Sequence, residues 1–226
     1  MSSAAGPFLI GGGREPEQVL PTHRPFVDAC GGGPIALVIA DEGDGVDVER
    51  WTSSLPGADV RPVILHAGRP LASEDVHGAA GVYVAGGLTP LYAELLAGVT
   101  LPPAAVYAGF SAGAAVASAR AVVGGWRALA DDDGHGGAPV CPPDAGEDLE
   151  AVTIVDGLGL VPYAVDVHAA QWGTLSRLAY AVAEGLVAEG WALDEGALLV
   201  DGRVVGPGAA WHVTRDAPVR RVTERG

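Results

Sequence analysis

The stretch Gly109-Phe110-Ser111-Ala112-Gly113 decides the fold, because its surroundings match a serine held on a sharp turn between a strand and a helix. The short apolar segment 104–108 before it is typical of a buried strand, and the alanine-rich segment 114–120 after it predicts a helix. Such a turn needs small flanking residues, since the backbone crosses itself closely there. The serine then lies at a helix N-terminus, where free N–H groups can bind an oxyanion. This order favours a nucleophilic serine over a chance match in a chain with 34 glycines.

The composition limits the kind of protein. At 226 residues the chain is long enough for one α/β domain with a full core, and we expect residues 1–226 to form that domain. The formal charge is −15 at pH 7, and every basic residue is an arginine. The absence of lysine excludes a P-loop lysine, a Schiff-base lysine and a Ser–Lys dyad. The acidity also argues against nucleic acid as a partner, since its affinity depends on basic contacts to phosphate.

The sequence predicts neither a membrane segment nor a secretion signal. No apolar run approaches the roughly 20 residues that span a bilayer. Segment 1–6 lacks the basic start and long apolar core of a signal peptide. We therefore expect a cytoplasmic protein without a membrane partner. Cys30 and Cys141 lie far apart without metal-ligand spacing, so we interpret them as free thiols and expect no metal and no cofactor.

Short apolar runs along the chain predict strands, and the segments between them have helical spacing. Strands that are apolar on both faces and separated by helices indicate a parallel sheet covered on both sides. The first strand leads into Gly11-Gly12-Gly13-Arg14-Glu15, which lacks the spacing of a phosphate loop and predicts a tight turn into a helix. The predicted strands are 8–10, 35–40, 60–65, 81–85, 105–107, 196–200 and 209–213, and the predicted helices between them are 15–29, 47–54, 90–96 and 173–188.

Segment 126–150 differs in kind from the rest of the chain. It combines clusters of acidic residues with many glycines and prolines, and no part of it has the period of a strand or a helix. Its composition offers little apolar surface to offset the entropy of ordering, so we expect a mobile surface loop whose carboxylates are mostly solvated. A loop of this length is also able to fold back over a site as a lid.

A serine nucleophile needs a histidine base, and the base needs a carboxylate that orients it. His168 follows an apolar run, at the kind of strand end where parallel sheets place their chemistry. His212 lies inside the last predicted strand, where packing or edge exposure explains it. Carboxylates are too numerous for composition to select one, although Asp194-Glu195 stands at the approach to a strand. The early histidines that we expect at the surface are His23, His66 and His77.

These features together resemble a serine peptidase family that includes cyanophycinase and dipeptidase E, the alpha-aspartyl dipeptidase. The resemblance covers most of the chain from Phe8 to Val213, apart from segment 126–150. The elbow alone is shared by many hydrolases, whereas six matching segments in one order are a strong signal. The matching segments are 8–15, 80–87, 108–114, 157–160, 166–168 with Arg177-Leu178, and 193–195.

The resemblance implies a three-layer, flavodoxin-like α/β fold with a mostly parallel sheet, of the kind seen in class I glutamine amidotransferases. It also implies a Ser–His–Glu triad, with Ser111 as nucleophile, His168 as base and Glu195 as acid. The Gly86-Gly87 turn and the N–H of Ala112 would then form the oxyanion hole. Glycines suit that role, because the backbone approaches the substrate carbonyl with no side chain between them.

Two stretches depart from the family pattern. The turn after Gly86-Gly87 usually carries an amide or acidic residue followed by glutamine or a related polar group, and here it carries Leu88 and Thr89. Cyanophycinases carry a row of arginines after the histidine, and this chain has Gln171, Thr174 and only Arg177 there. We therefore expect a small peptide as substrate rather than cyanophycin.

Four residues are candidate substrate contacts by the same resemblance. Arg177 either binds an aspartyl carboxylate, which suits the bidentate guanidinium, or forms an ordinary surface salt bridge. The first alternative would give an aspartyl preference. The resemblance leaves a homodimer open as the assembly. The four candidates are Leu88, Asp166, Gln171 and Arg177.

Two other functions remain open from the sequence. An α/β-hydrolase esterase would use Ser111, Asp194 and His212, whose chain order matches that fold. A catalytically inactive binding module of the same fold would explain the altered turn and the loss of arginines. The first alternative leaves segment 158–168 unexplained, and the second leaves the three triad residues at their expected positions without a purpose.

Overall fold

Five parallel strands make up most of the largest sheet in the computed structural model, which describes residues 6–130 and 137–224. Two antiparallel strands extend this sheet beyond its N-terminal strand, giving seven strands in the order β11-β10-β1-β5-β4-β2-β3. The prediction of an α/β fold with a mostly parallel sheet is therefore confirmed. The strands are β1 (Phe8–Ile10), β2 (Ile35–Ala40), β3 (Val60–Leu65), β4 (Gly81–Val84), β5 (Val106–Phe110), β10 (Leu198–Val200) and β11 (Arg203–Val205).

Helices and short turns cover the large sheet, which explains why its central strands are apolar on both faces. All six residues of β2 and all four of β4 are buried, as expected for parallel strands inside an α/β protein. The helices are α1 (Pro16–Ala29), α2 (Val48–Thr52), α3 (Thr89–Leu95), α4 (Ala112–Val116), α5 (Ala169–Trp172) and α6 (Leu175–Ala183), with 3₁₀ turns at Ser73–Val76 and Pro143–Ala145. Within the described ranges, no helix is long and apolar enough to cross a membrane.

A second sheet consists of four strands from the last third of the chain. Its strands β8 and β9 run parallel, while β12 and β13 pair antiparallel. Helix α6 packs on this sheet and shares a smaller apolar core with it. The remaining strands, β6 and β7, form an antiparallel pair. The strand bounds are β6 (Arg120–Gly124), β7 (Thr153–Asp156), β8 (Ala164–Val167), β9 (Glu189–Leu193), β12 (Ala210–Thr214) and β13 (Arg220–Val222).

Some sequence-based boundaries are wrong. The helix after the serine ends at Val116 rather than at residue 120, because β6 begins at Arg120 and pairs with β7. The helix predicted over 173–188 ends at Ala183. His23 is not at the surface: it is buried in α1 and bonds the hydroxyl of Tyr83 at 2.9 Å. Burial, opposed by the carbonyl of Val19, lowers the pKa of His23 to about 4.

Much of segment 126–150 is hydrogen-bonded, contrary to the expectation of a mobile loop, whereas Asp144, Asp148 and Glu150 are exposed, as expected for solvated carboxylates. The N–H groups of Trp126 and Arg127 donate to the carbonyl of Glu150 at 2.9 Å, and the N–H of Val140 donates to Trp126 at 2.8 Å. The carboxylate of Glu147 is half-buried. Backbone pairing across the segment provides the order that its composition did not predict. Residues 131–136 of that expectation lie outside the described residues.

We predict that Gly113→Ala destabilises the fold, because a β-carbon at this position would overlap the carbonyl oxygen of Val84. Overpacking against backbone has no flexible side chain to relieve it, so we expect a loss of about 3 kcal/mol in the free energy of unfolding. Urea denaturation measures this loss. The matched control is Gly98→Ala, where a β-carbon meets open space and the positive φ costs about 1–2 kcal/mol. Equal losses in the two variants would contradict the steric explanation.

Candidate active site

Ser111 stands on a strained turn between β5 and α4. Its φ is 51° and its ψ is −113°, a backbone conformation that is uncommon for a residue with a side chain. The turn is this tight because the backbone of Gly109 lies against that of Gly113, and a β-carbon on Gly109 would overlap the carbonyl oxygen of Gly113. Strain of this kind persists only where the surrounding structure enforces it and is concentrated at functional sites.

Ser111, His168 and Glu195 form one hydrogen-bonded chain. The Oγ atom of Ser111 lies 2.8 Å from Nε2 of His168. The other ring nitrogen, Nδ1, lies 2.9 Å from Oε1 of Glu195. The carboxylate thus selects the tautomer with the proton on Nδ1, which leaves Nε2 free to accept a proton from the serine hydroxyl. These distances are those required between a nucleophile, its base and the group that orients the base.

The three segments that carry these side chains meet on residues 10–12. The N–H of Ser111 donates to Ile10 at 2.8 Å, and the N–H of His168 donates to Gly11 at 3.1 Å. The N–H of Gly196, next to Glu195, donates to Gly12 at 2.8 Å. Gly12 has to be glycine, since a β-carbon there would overlap the imidazole of His168. The carboxyl ends of β1, β5, β8 and β9 therefore converge at one point.

The environment of His168 favours the neutral imidazole. Burial lowers its pKa below the ordinary value, while the hydrogen bond and charge of Glu195 oppose that change. Trp172 stacks on the ring with its centroid 3.9 Å away and the planes 12° apart. Because the stacking and the carboxylate restrain the ring together, the base is oriented before any substrate arrives.

Two backbone N–H groups beside Ser111 are the candidates for binding an oxyanion. Ala112 begins α4, and Gly86 lies so close to the nucleophile that a β-carbon on it would be 3.1 Å from Cβ of Ser111. In the part of the chain that the structure describes, neither the N–H of Ala112 nor that of Gly87 donates to another group. The next two N–H groups are occupied. Leu88 donates to Oε1 of Glu42 at 2.7 Å and Thr89 to Oε2 of Glu147 at 2.9 Å.

A cavity of about 1190 Å³ opens in front of Ser111. Its walls come from the loops at the carboxyl ends of the strands and from the described part of segment 126–150. The triad side chains, the Gly86-Gly87 turn and Leu88 are all part of this lining. The cavity is large enough for a small peptide.

Two of the candidate substrate contacts, Asp166 and Arg177, lie in the interior rather than at the cavity. Arg177 and Asp166 are buried and form a bidentate ion pair, with N–O distances of 2.8 Å and 2.7 Å. The guanidinium also donates to the carbonyl of Ala145 at 2.5 Å. Neither residue is part of the cavity lining. Arg177 thus forms neither the substrate contact nor the surface salt bridge that we considered from the sequence; instead it ties segment 126–150 to β8.

The other two candidates differ from each other. Leu88 is part of the cavity lining, as expected for a substrate contact. Gln171 is not: its Oε1 accepts the N–H of Glu195 at 2.9 Å and so holds the triad acid. The exposed position of Gln171 at the C-terminal end of α5 explains how it reaches that backbone.

The residues of the esterase alternative are not brought together. The carboxylate of Asp194 accepts bonds from the N–H of Ala170 at 3.0 Å and from the indole of Trp211 at 3.1 Å. His212 stacks on Trp191 and bonds Glu189 at 3.2 Å. The hydroxyl of Ser111 bonds His168 instead, so the structure gives the esterase arrangement no geometric support.

Several residues of the site were missed by sequence reasoning. Trp172 was identifiable, because it follows His168 by four residues, the spacing that places side chains on one helical face. Arg14 stands in the cavity wall directly after the triple glycine. Glu147 carried no local signal, since its role depends on a long-range bond to Thr89.

In residues 6–130 and 137–224, no group of histidine, cysteine, aspartate and glutamate side chains is arranged to hold a metal ion.

No model of a known protein family matches the chain, and no curated protein sequence matches it. The resemblance to the cyanophycinase and dipeptidase E family therefore stays a proposal that depends on the quoted segments and on the geometry of the site.

We predict that the buried Asp166–Arg177 pair stabilises the fold around the site. Asp166→Asn leaves the Arg177 guanidinium buried without its counter-charge, so we expect a loss of about 3–5 kcal/mol in the free energy of unfolding. Urea denaturation measures it. The control is Asp28→Asn, which breaks the exposed Arg24–Asp28 pair and should cost less than about 1 kcal/mol. Similar losses in the two variants would contradict the assignment.

Proposed function

We propose that this protein is a serine-type peptidase that hydrolyses small peptides through the triad Ser111, His168 and Glu195. The observation that carries the proposal is the continuous hydrogen-bonded chain from Ser111 Oγ through the imidazole to Glu195, on a strained elbow at the wall of a cavity. Chance proximity would explain one of these contacts. It does not explain two correctly ordered bonds together with open N–H groups beside the serine.

The chemistry follows from these positions. Ser111 Oγ attacks the carbonyl carbon of the peptide bond while its proton passes to Nε2 of His168. The negative charge that develops on the carbonyl oxygen is stabilised by the N–H groups of Ala112 and Gly87. The C–N bond then breaks, and the imidazolium returns its proton to the leaving amine. Water, deprotonated by the same imidazole, attacks the acyl-enzyme, releases the acid product and restores the serine hydroxyl.

The topology supports the proposed flavodoxin-like fold. Counted from β2, the parallel strands appear across the sheet in the order 2-1-3-4, which is the flavodoxin order for those positions. The N-terminal strand β1 takes the fifth position beside β5. Together with the elbow after β5, this order supports the proposed relationship to class I glutamine amidotransferase folds and to the cyanophycinase and dipeptidase E family.

The proposed substrate is a small peptide without an aspartyl preference mediated by Arg177. That preference depended on Arg177 facing the substrate, and the guanidinium is instead fully engaged with Asp166 and backbone carbonyls. The inactive-module alternative is separated from the peptidase by reactivity rather than by geometry.

Labelling with a fluorophosphonate probe tests the proposed function. We expect the native protein to react stoichiometrically at Ser111, Ser111→Ala not to react, and His168→Ala to lose about 10⁴-fold or more in peptide hydrolysis. His212→Ala is the matched control and should keep both labelling and hydrolysis. A folded native protein that does not label would establish the inactive module, and a loss confined to His212→Ala would support the esterase arrangement instead.

Peptide hydrolysis should depend on pH through His168. The base accepts a proton only when neutral, so kcat/KM should rise with pH through a transition below the ordinary histidine pKa of about 6.5. The transition lies on the low side because burial lowers the pKa of His168. Glu195→Gln removes the group that opposes this change and should move the transition to still lower pH while reducing kcat. Steady-state rates between about pH 4 and 8 measure both effects; an unchanged midpoint in the variant would contradict the coupling.

A further inference from the structure

Two arginines share a wall of the proposed active-site cavity. Arg14 follows the triple glycine after β1, and Arg50 lies in α2. Both line the cavity that contains Ser111. Both also line an adjoining groove of about 600 Å³, so the two guanidinium groups stand where the cavity and the groove meet.

In the described part of the chain, these two arginines have no close ionic partner, although the cavity wall around them is rich in carboxylates. Among the residues that the structure describes, neither guanidinium has a carboxylate oxygen within 4.0 Å, whereas Arg24, Arg69 and Arg120 each pair with an aspartate. The chain carries 28 acidic residues against 13 basic ones, and nine carboxylate side chains line the same cavity. Carboxylates are thus abundant, yet none of those in residues 6–130 and 137–224 lies within 4.0 Å of these two guanidinium groups.

Aromatic rings hold the guanidinium of Arg14. Its Cζ atom lies 4.1 Å from the ring centroid of Trp51 and 5.4 Å from that of Phe110, the residue that precedes the nucleophile. Contacts with ring faces orient a guanidinium without using its N–H groups, which stay available for a bidentate contact. Burial and the like charge of Arg50 lower the pKa of Arg14, and Asp47 and Tyr83 raise it. Two positive groups this close repel each other until an anion neutralises them.

We propose that Arg14 and Arg50 form the subsite that binds a carboxylate of the peptide substrate and thereby determine specificity. A planar guanidinium matches a carboxylate with two parallel hydrogen bonds, and the second arginine adds charge. The carboxylate comes from the C-terminus of the peptide or from an acidic side chain; both present the same group to the site. This inference rests on the proposed peptidase function for its kinetic consequence, but the binding itself does not need the triad.

Matched peptides identify the carboxylate. The first pair is trialanine and trialanine amide, which differ only at the C-terminus. The second pair is alanyl-aspartyl-alanine amide and alanyl-asparaginyl-alanine amide, which differ only in the side chain. We expect kcat/KM to be at least ten-fold higher for the charged member of one pair, mainly because its KM is lower. The pair that shows the preference identifies the source of the carboxylate, and no preference in either pair would overturn the proposal.

Arginine variants test whether Arg14 and Arg50 cause the preference for the charged peptide. Arg14→Gln and Arg50→Gln should each reduce it by raising KM for the charged peptide alone, with kcat little changed. Arg61→Gln is the matched control, because Arg61 is an exposed arginine of β3 that lies outside the cavity lining. Equal effects of Arg14→Gln on both members of a pair would overturn the assignment, as would an equal loss of the preference in Arg61→Gln.

Binding to Ser111→Ala protein separates this proposal from the peptidase proposal. Isothermal titration of the same peptides should show the charged preference in Ser111→Ala, and Arg14→Gln should remove it from that background. If the native protein neither labels nor hydrolyses but this preference persists, the carboxylate subsite stands and the peptidase proposal fails. If the native protein hydrolyses peptides but charged and neutral members bind equally, the subsite fails alone.

Discussion

Three backbone hydrogen bonds onto residues 10–12 are the constraint on which the proposed site depends. The carbonyls of residues 10, 11 and 12 accept, in that order, the N–H groups of Ser111, His168 and Gly196. Three consecutive peptide groups thus fix the relative positions of the nucleophile, the base and the segment that carries the acid. Backbone bonds of this kind cannot rotate away as side chains do. The segment also joins the two sheets, because β1 pairs with β5 in one and its extension contacts β8 and β9 of the other. A shift of one sheet relative to the other would therefore displace members of the triad from one another.

The fold was predictable where local pattern and tertiary environment agree. The strands 8–10, 35–40 and 60–65 were predicted with the bounds that the structure has, because apolar runs between turn residues leave no other way to bury them. The prediction fails where the structure of a segment is determined by pairing with a strand far away in the chain. Segment 114–120 has the composition of a helix, yet its last residue, Arg120, begins strand β6. This strand pairs with β7, about 36 residues further along the chain. The strands β6, β7, β9, β11 and β13 were also missed; β7, β11 and β13 are short, partly exposed and lack an apolar run of their own.

The candidate triad was carried over from the family resemblance, and the structure brings its three members together. The positions of the residues around the triad could not be predicted from the sequence. Arg177 was weighed as a substrate contact or a surface ion pair, and neither description fits a guanidinium that satisfies two carbonyls and a carboxylate in the interior. Its position is decided by burial, which depends on how segment 126–150 folds over β8 and α6. Arg14 was set aside with its glycines as a turn, because nothing local shows that Trp51 and Phe110 lie beneath it.

The acidic segment is part of the site rather than an appendage to it. Glu147 accepts the N–H of Thr89, and Glu42 accepts that of Leu88, so two carboxylates from separate loops anchor the turn that presents Gly86 and Gly87. Glu147 and Asp148 both have positive φ, a strain that the neighbouring bonds of Arg177 to Gly125 and Ala145 help to sustain. The N–H groups of the Leu88-Thr89 turn are thus held by carboxylates from elsewhere in the chain. Removing this segment would release the N–H of Thr89 and open the cavity wall together, which makes the segment a structural support of the Gly86-Gly87 turn.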